Sequence, residues 1–160
     1  KLLLVRLQPK RRRPDSMGKV EFHHGVPDKI GYACRLLRKA YRSGASVVVT
    51  ADDATLKTLD KQLWVFEDLE FVPHVLALAD KALPERQWPT PIWLTPDPAS
   101  APGERQILVN LGWDIPQPLD RYARLFEVVS TQADDRQQGR RRWKQYESMG
   151  WQIQPHEVKE

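Results

Sequence analysis

The sequence predicts an α/β domain, a single three-layer α/β/α unit around a mainly parallel sheet, Rossmann-like but without a phosphate-binding loop. Three observations predict it. Ser46-Val47-Val48-Val49-Thr50 and Ile107-Leu108-Val109-Asn110-Leu111 are short, continuous apolar runs, the pattern of strands covered on both faces. Segments with helical spacing follow such runs in the order strand, helix, strand, helix. A chain of 160 residues with 41% hydrophobic side chains holds one domain with a real core and leaves little room for a second.

Residues 1–16 stand apart. They end in the basic run Lys10 to Arg13 just ahead of Met17, and they read as a disordered basic arm or an upstream extension foreign to the domain. The domain proper is expected over residues 17–160. The arm also skews the charge. Of 25 Lys and Arg and 21 Asp and Glu, residues 1–16 hold six and one, which leaves 19 against 20 in the rest. A basic surface throughout, as nucleic-acid binding would want, is not supported. No run approaches the ~18 apolar residues of a membrane span. The single cysteine, Cys34, excludes an internal disulfide framework and a cysteine zinc cage, and it suits a reducing cytosol. His23, His24, His74 and His156 show no metal-ligand spacing with Cys or carboxylates.

Taken in order, Val20-Glu21-Phe22-His23-His24 is a short candidate strand. Asp28 caps a helix to about Ser43, whose buried stripe is Ile30, Ala33, Cys34, Leu37 and Tyr41, and Gly44 ends it. Cys34 is thus a small core residue rather than a nucleophile. After the Ser46–Thr50 strand, Ala51-Asp52-Asp53 opens a second helix with Leu56, Leu59 and Leu63 inside, ending at Trp64. Residues 65–74 are bulky and apolar where a loop is ordinarily polar. Trp64 and Phe71 either close the core there or stand exposed as anchors for a partner. Pro91-Ile92-Trp93-Leu94-Thr95 is a strand, and Pro96 to Gly103 a turn-rich loop without regular structure. The Ile107–Leu111 strand is followed by a short helix around Leu119 to Leu125 and a fifth strand, Phe126-Glu127-Val128-Val129. Trp151-Gln152-Ile153 either adds a final strand or packs as a tail.

The late segment Asp134 to Gly150 reads as one surface helix, with Asp134 and Asp135 at its positive end and Gly150 as the left-handed stop. Arg140, Trp143 and Lys144 share a face by three- and four-residue spacing, and Arg136 extends it one turn back. An aromatic ring among cations suits a ligand that is anionic at one end and apolar at the other, such as an acidic peptide ending in an aromatic residue, or a stacked nucleotide. The plainer alternative is a solvated basic helix with Trp143 in the core.

Enzymatic signatures are sparse. The eight glycines, at 18, 25, 31, 44, 103, 112, 139 and 150, form neither G-x-G-x-x-G nor a P-loop. Asp52 and Asp53 at a strand end could serve a Mg²⁺-dependent nucleotide or nucleic-acid-processing enzyme, but capping of the next helix explains both. No Ser, Cys or His lies in a nucleophile setting.

Leu63-Trp64, then Phe71-Val72-Pro73-His74, the Pro91-Ile92 strand and the late basic-aromatic helix together resemble the chi subunit family of the bacterial DNA polymerase III holoenzyme, from about Met17 to Gly150 or beyond. The resemblance implies a non-catalytic, cofactor-free, cytoplasmic replication subunit. It would bridge the clamp loader, through the psi subunit, to the acidic C-terminal tail of the single-stranded DNA-binding protein, and touch DNA only indirectly. By resemblance Arg140, Trp143 and Lys144 match the tail-binding set, with Arg136, Arg142, Tyr146 and Met149 as neighbours. Trp64 and Phe71 match the pair that holds psi, a surface also open to a helicase partner. Residues 1–16 and Pro155 to Glu160 have no counterpart in the resemblance.

Overall fold

Seven strands and three helices make up the computed structural model, which describes residues 18–65, 71–79 and 82–159. The expected domain boundary and basic arm, residues 1–16, lie outside the described residues. The strands are β1 (Lys19–Val26), β2 (Val47–Thr50), β3 (His74–Leu76), β4 (Ile92–Leu94), β5 (Ile107–Asn110), β6 (Arg124–Ser130) and β7 (Gln152–Glu157), and the helices α1 (Lys29–Arg42), α2 (Asp53–Val65) and α3 (Ala133–Ser148). The strands form one sheet in the order β3-β4-β2-β5-β6-β1-β7, and every pairing is parallel. Each of β2, β4 and β5 is buried at every position, which is why they read as continuous apolar runs.

The pleat divides the side chains between two cores. Val47, Val49, Ile107, Val109, Phe126 and Val128 pack with Ala33, Cys34 and Leu37 of α1 and Leu56, Leu59 and Leu63 of α2. Their neighbours Phe22, Val48, Leu108, Leu125 and Val129 pack on the other side with Tyr146 of α3 and with Trp151. The helices α1 and α2 thus cover one face and α3 the other. Asp28 caps α1 by accepting from the Gly31 amide at 3.1 Å. Cys34 is buried, and that burial pushes its thiol up to about 11, so it is a core residue with no thiolate character at neutral pH.

Three expectations are corrected. The helix around Leu119–Leu125 does not form. Residues 119–123 make a turn in which Leu119 and Tyr122 are buried, and the Ala123 and Arg124 amides donate to the Gln106 carbonyl. Leu125 is drawn into β6, hydrogen-bonded between β5 and β1, and five residues are too few to nucleate a helix against that. The strand β3 was not anticipated, because three residues after Pro73 are too short for a period to show. It makes Phe126–Val129 part of the sixth strand, not the fifth. The loop after β4 contains one 3-10 turn, Pro98–Ser100, capped by Asp97. Of the Trp151–Ile153 segment, Trp151 packs into the core and Gln152 and Ile153 open β7, which continues to Glu157 beside β1.

Candidate functional site

Helix α3 docks on the sheet through polar groups. Its buried positions are Asp135, Gly139, Arg142 and Tyr146, at helical spacings of four, three and four, so they form one stripe. Arg142 Nε donates to Glu127 Oε1 at 2.8 Å, and the Tyr146 hydroxyl donates to Oε2 at 2.9 Å. Asn110, the register partner of Glu127 on β5, donates to both oxygens from Nδ2, at 3.1 and 2.9 Å. Arg142 Nη1 reaches the Trp113 carbonyl at 2.8 Å. Burial is the largest influence and holds the Glu127 carboxyl above the usual glutamate value, against the opposing pull of the Arg142 charge and the Asn110, Tyr146 and Arg142 hydrogen bonds. Only donors surround the carboxylate, the arrangement an ionised group needs. At the start of the helix Asp135 accepts from the Ser130 amide at 2.7 Å and from Lys29 Nζ at 3.1 Å. Burial alone would raise the Asp135 carboxyl, but these two donors hold it below the usual aspartate value.

This geometry corrects the reading of Tyr146 and Arg142 as neighbours of a surface ligand. Both are buried and committed to Glu127. Met149, partly exposed after the helix, does not line the cavity described next.

The other face of α3 carries Arg136, Arg140, Trp143 and Lys144, and all four line one open cavity of about 670 Å³. Trp143 is half-buried, its ring 5.1 Å from that of Phe22, which lies 5.8 Å from the Tyr146 ring on its other side. The cavity floor is therefore aromatic and anchored in the core, and the rim is cationic. The rest of the wall comes from β1 (Phe22, His24, Gly25) and from Val129 and Thr131, with Glu147 and Glu157 completing it. Gly139 brings α3 close to β6. A Cβ there would lie 2.8 and 2.9 Å from the two Val129 methyls, nearer than packed carbons approach. Gly25 takes φ +72° where the register of β1 with β6 shifts, between His23 and Val26, a left-handed position that suits glycine.

Across the sheet, at the end of α2, Trp64 and Phe71 are 59% and 50% exposed, with ring centroids 5.0 Å apart. His74 lies beneath, 5.2 Å from Trp64, and is fixed by the Val72 carbonyl at 2.7 Å and Asp60 at 3.1 Å. The pair forms an exposed aromatic patch over the hydrogen-bonded His74, and Val65, the last residue of α2, is 69% exposed. Trp64 and Phe71 are thus exposed and do not close the core beneath the loop. Residues 66–70, between them, lie outside the described residues.

Asp52 caps α2. Its carboxylate accepts from the Thr55 hydroxyl at 2.6 Å and the Thr55 amide at 3.2 Å, and the hydroxyl bond chiefly holds it below the usual aspartate value. Asp53 is exposed in the first turn. Among the described residues no group of three His, Cys, Asp or Glu is placed to hold a metal ion.

The family model for the DNA polymerase III chi subunit, HolC, matches residues 17–154. This chain belongs to that family. DNA polymerase III subunit chi of Pseudomonas aeruginosa is 31% identical over 131 residues, covering 81% of this chain and 87% of the relative. That of Haemophilus influenzae is 30% identical over 127 residues, covering 79% and 85%. The resemblance carried by Leu63-Trp64 and Phe71-Val72-Pro73-His74 therefore holds at the level of the family, and the match reaches into β7.

Within this chi-family chain the α3 cations and Trp143 were legible from spacing. Phe22, His24 and Gly25 were not, because nothing local to β1 announces that it lies beside β6 and under α3. The alternation of β1 does put Phe22 and His24 on one side, and that was the only available signal.

Proposed function

We propose that this chain is a non-catalytic replication subunit that tethers the clamp loader to protein-coated single strands. In this reading the α3 cavity receives the acidic C-terminal tail of the single-stranded DNA-binding protein. The observation that carries it is the convergence of Arg136, Arg140, Lys144 and Trp143 on one cavity with a Phe22 floor. Carboxylates meet the cationic rim, and the terminal aromatic ring meets the floor. Glu147 and Glu157 at the margin would repel a carboxylate seated on the wrong side and so set the direction of entry. The Trp64–Phe71 patch is the surface for the psi subunit or a helicase partner, since exposed paired aromatics are the usual stuff of interface anchors. DNA is engaged only through these partners, and the setting is the cytoplasmic replisome. No described helix is long and apolar enough to cross a membrane.

Binding one partner at each site turns a weak tail contact into local retention. The test is fluorescence anisotropy of a labelled acidic peptide ending in Asp-Pro-Phe, titrated at two salt concentrations. Expected is micromolar binding that weakens with salt and is lost in Arg140→Ala, while Trp64→Ala leaves it unchanged and loses psi. Salt-independent binding, or equal loss of both partners in either variant with the fold intact by circular dichroism, overturns the two-site reading.

A further inference from the structure

The cationic rim of the α3 cavity is nearly cancelled by its own margin. Arg136, Arg140 and Lys144 bring three positive charges and Glu147 and Glu157 two negative ones, an excess of one. The wall holds one further ionisable group, His24 of β1. An imidazole is the side chain that gains or loses its charge between about pH 5 and 8. A single proton on His24 therefore raises the excess from one to two.

The sheet fixes where that proton would act. His24 is half-buried and stands two residues beyond Phe22, whose ring lies against Trp143, so it sits roughly 7 Å along the strand from the aromatic floor. His24 and Glu157 are register partners on β1 and β7, and partners in a parallel pair leave the sheet on the same face. The carboxylate that would oppose an anionic ligand thus stands beside the one wall group able to offset it. Gly25 and Thr131 continue the wall at this end, where α3 begins after Ser130, the register partner of Val26. Arg136, in the first turn of α3, lines that end too. The other histidines lie elsewhere. His23 and His156, partners of each other, line the groove on the α1 side, and His74 is on β3, at the far edge of the sheet.

We propose that His24 is a specificity-determining residue of this cavity, which meets the acidic residues of the ligand as an imidazolium and makes their binding tighten as the pH falls. The inference rests on the peptide reading above and adds the regulation of that site. With His24 neutral, Glu157 is unopposed at its end of the cavity and repels the carboxylates that precede the terminal ring. With His24 protonated, Glu157 is offset and those carboxylates gain a partner. The ligand's aspartates stay ionised between about pH 5 and 8, so acid adds attraction without discharging the peptide.

The experiment is anisotropy of the labelled acidic peptide ending in Asp-Pro-Phe, titrated with the full chain at about pH 5.5 and about pH 7.5. Ionic strength is matched, and circular dichroism checks the fold at each pH. Expected is binding about two- to fivefold tighter at the lower pH, the size of one exposed, screened ion pair. His24→Gln should erase the difference, and His24→Lys should bind tightly and equally at both pH values. Glu157→Gln should tighten binding at both and keep the difference. Protonation and binding are linked reciprocally. Adding peptide at a fixed pH of about 6.5 should therefore drive the His24 ring resonances of the unsubstituted chain toward their acid positions, a readout that needs no variant to fold. Equal affinities at the two pH values, or a difference that survives in His24→Gln, overturns the proposal and leaves the peptide reading in place. Absence of binding at both pH values overturns that reading, and this proposal falls with it.

Discussion

Arg140 and Arg142 lie two residues apart on α3 and face different media. Arg140 is exposed on the rim of a cavity. Arg142 is 1% exposed and closes an ion pair with the fully buried Glu127. The same pairing of roles recurs with the aromatics: Trp143 presents a half-buried ring to the cavity, while Tyr146, three residues on, spends its hydroxyl on Glu127. One helix thus carries a cavity-lining face and a docking face made from the same residue types, and only the neighbours distinguish them. A charge run therefore does not imply a solvated face when the opposing strand supplies a buried carboxylate. Position relative to β6, rather than side-chain chemistry, decides which arginine is free to recognise anything.

The sharpest way to break this comparison is to truncate each arginine in turn. Arg142→Ala leaves Glu127 charged and buried, and should cost about 3–5 kcal/mol in denaturant unfolding. Arg140→Ala should stay within about 0.5 kcal/mol of the parent. Similar unfolding midpoints for the two variants would abolish the distinction. Gly139→Ala probes the seam between the faces. Overpacking against Val129 should cost about 1–3 kcal/mol, exceeding the helix-propensity gain of up to about 1 kcal/mol. A more stable variant would show that α3 sits farther from β6 than described.

Acid offers a graded probe. His23 has a folded value near 4, below its ordinary 6.5, so the unfolded chain binds more protons in that window. Stability is fully present above pH 6.5 and falls by about 1–3 kcal/mol as the pH drops to 4. The depressed Asp135 carboxyl contributes stability that is lost only at lower pH, below the ordinary aspartate value. A flat stability profile between pH 6.5 and 4 would contradict the burial of a neutral His23.

The smaller effects belong to the outer face. Arg140→Ala and Trp143→Ala should weaken peptide binding by about 1–3 kcal/mol. Arg136→Ala, one turn back on an exposed rim, should weaken it by less than about 1 kcal/mol. A ranking with Arg136 first would shift the ligand toward the N-terminus of α3.

Most elements were legible in the sequence because their chemistry is local. The runs Val47-Val48-Val49 and Ile107-Leu108-Val109 announce strands buried on both sides, and Leu56, Leu59 and Leu63 announce a helix face. The inner face of α3 was illegible for the opposite reason. Asp135, Gly139, Arg142 and Tyr146 form a stripe that is helical in spacing but not apolar, and their complement, Glu127 and Asn110, lies on other strands. The rim of the cavity was read correctly from spacing, whereas its floor, Phe22, required the order of the sheet. For Trp64 and Phe71 the sequence is equally compatible with burial and exposure, and only the fold decides between them.

The sheet order has one more consequence. The Trp64–Phe71 patch adjoins β3, the first strand of the sheet, and the α3 cavity adjoins β1, five strand spacings away. At about 4.8 Å per strand that is roughly 25 Å, and the two surfaces lie on opposite faces. Molecules seated at the two places would not collide, and the domain between them would act as a spacer of fixed length. A flexible peptide of half a dozen residues hanging from the cavity could not fold back to the aromatic patch, so whatever occupies one end leaves the other open to a newcomer.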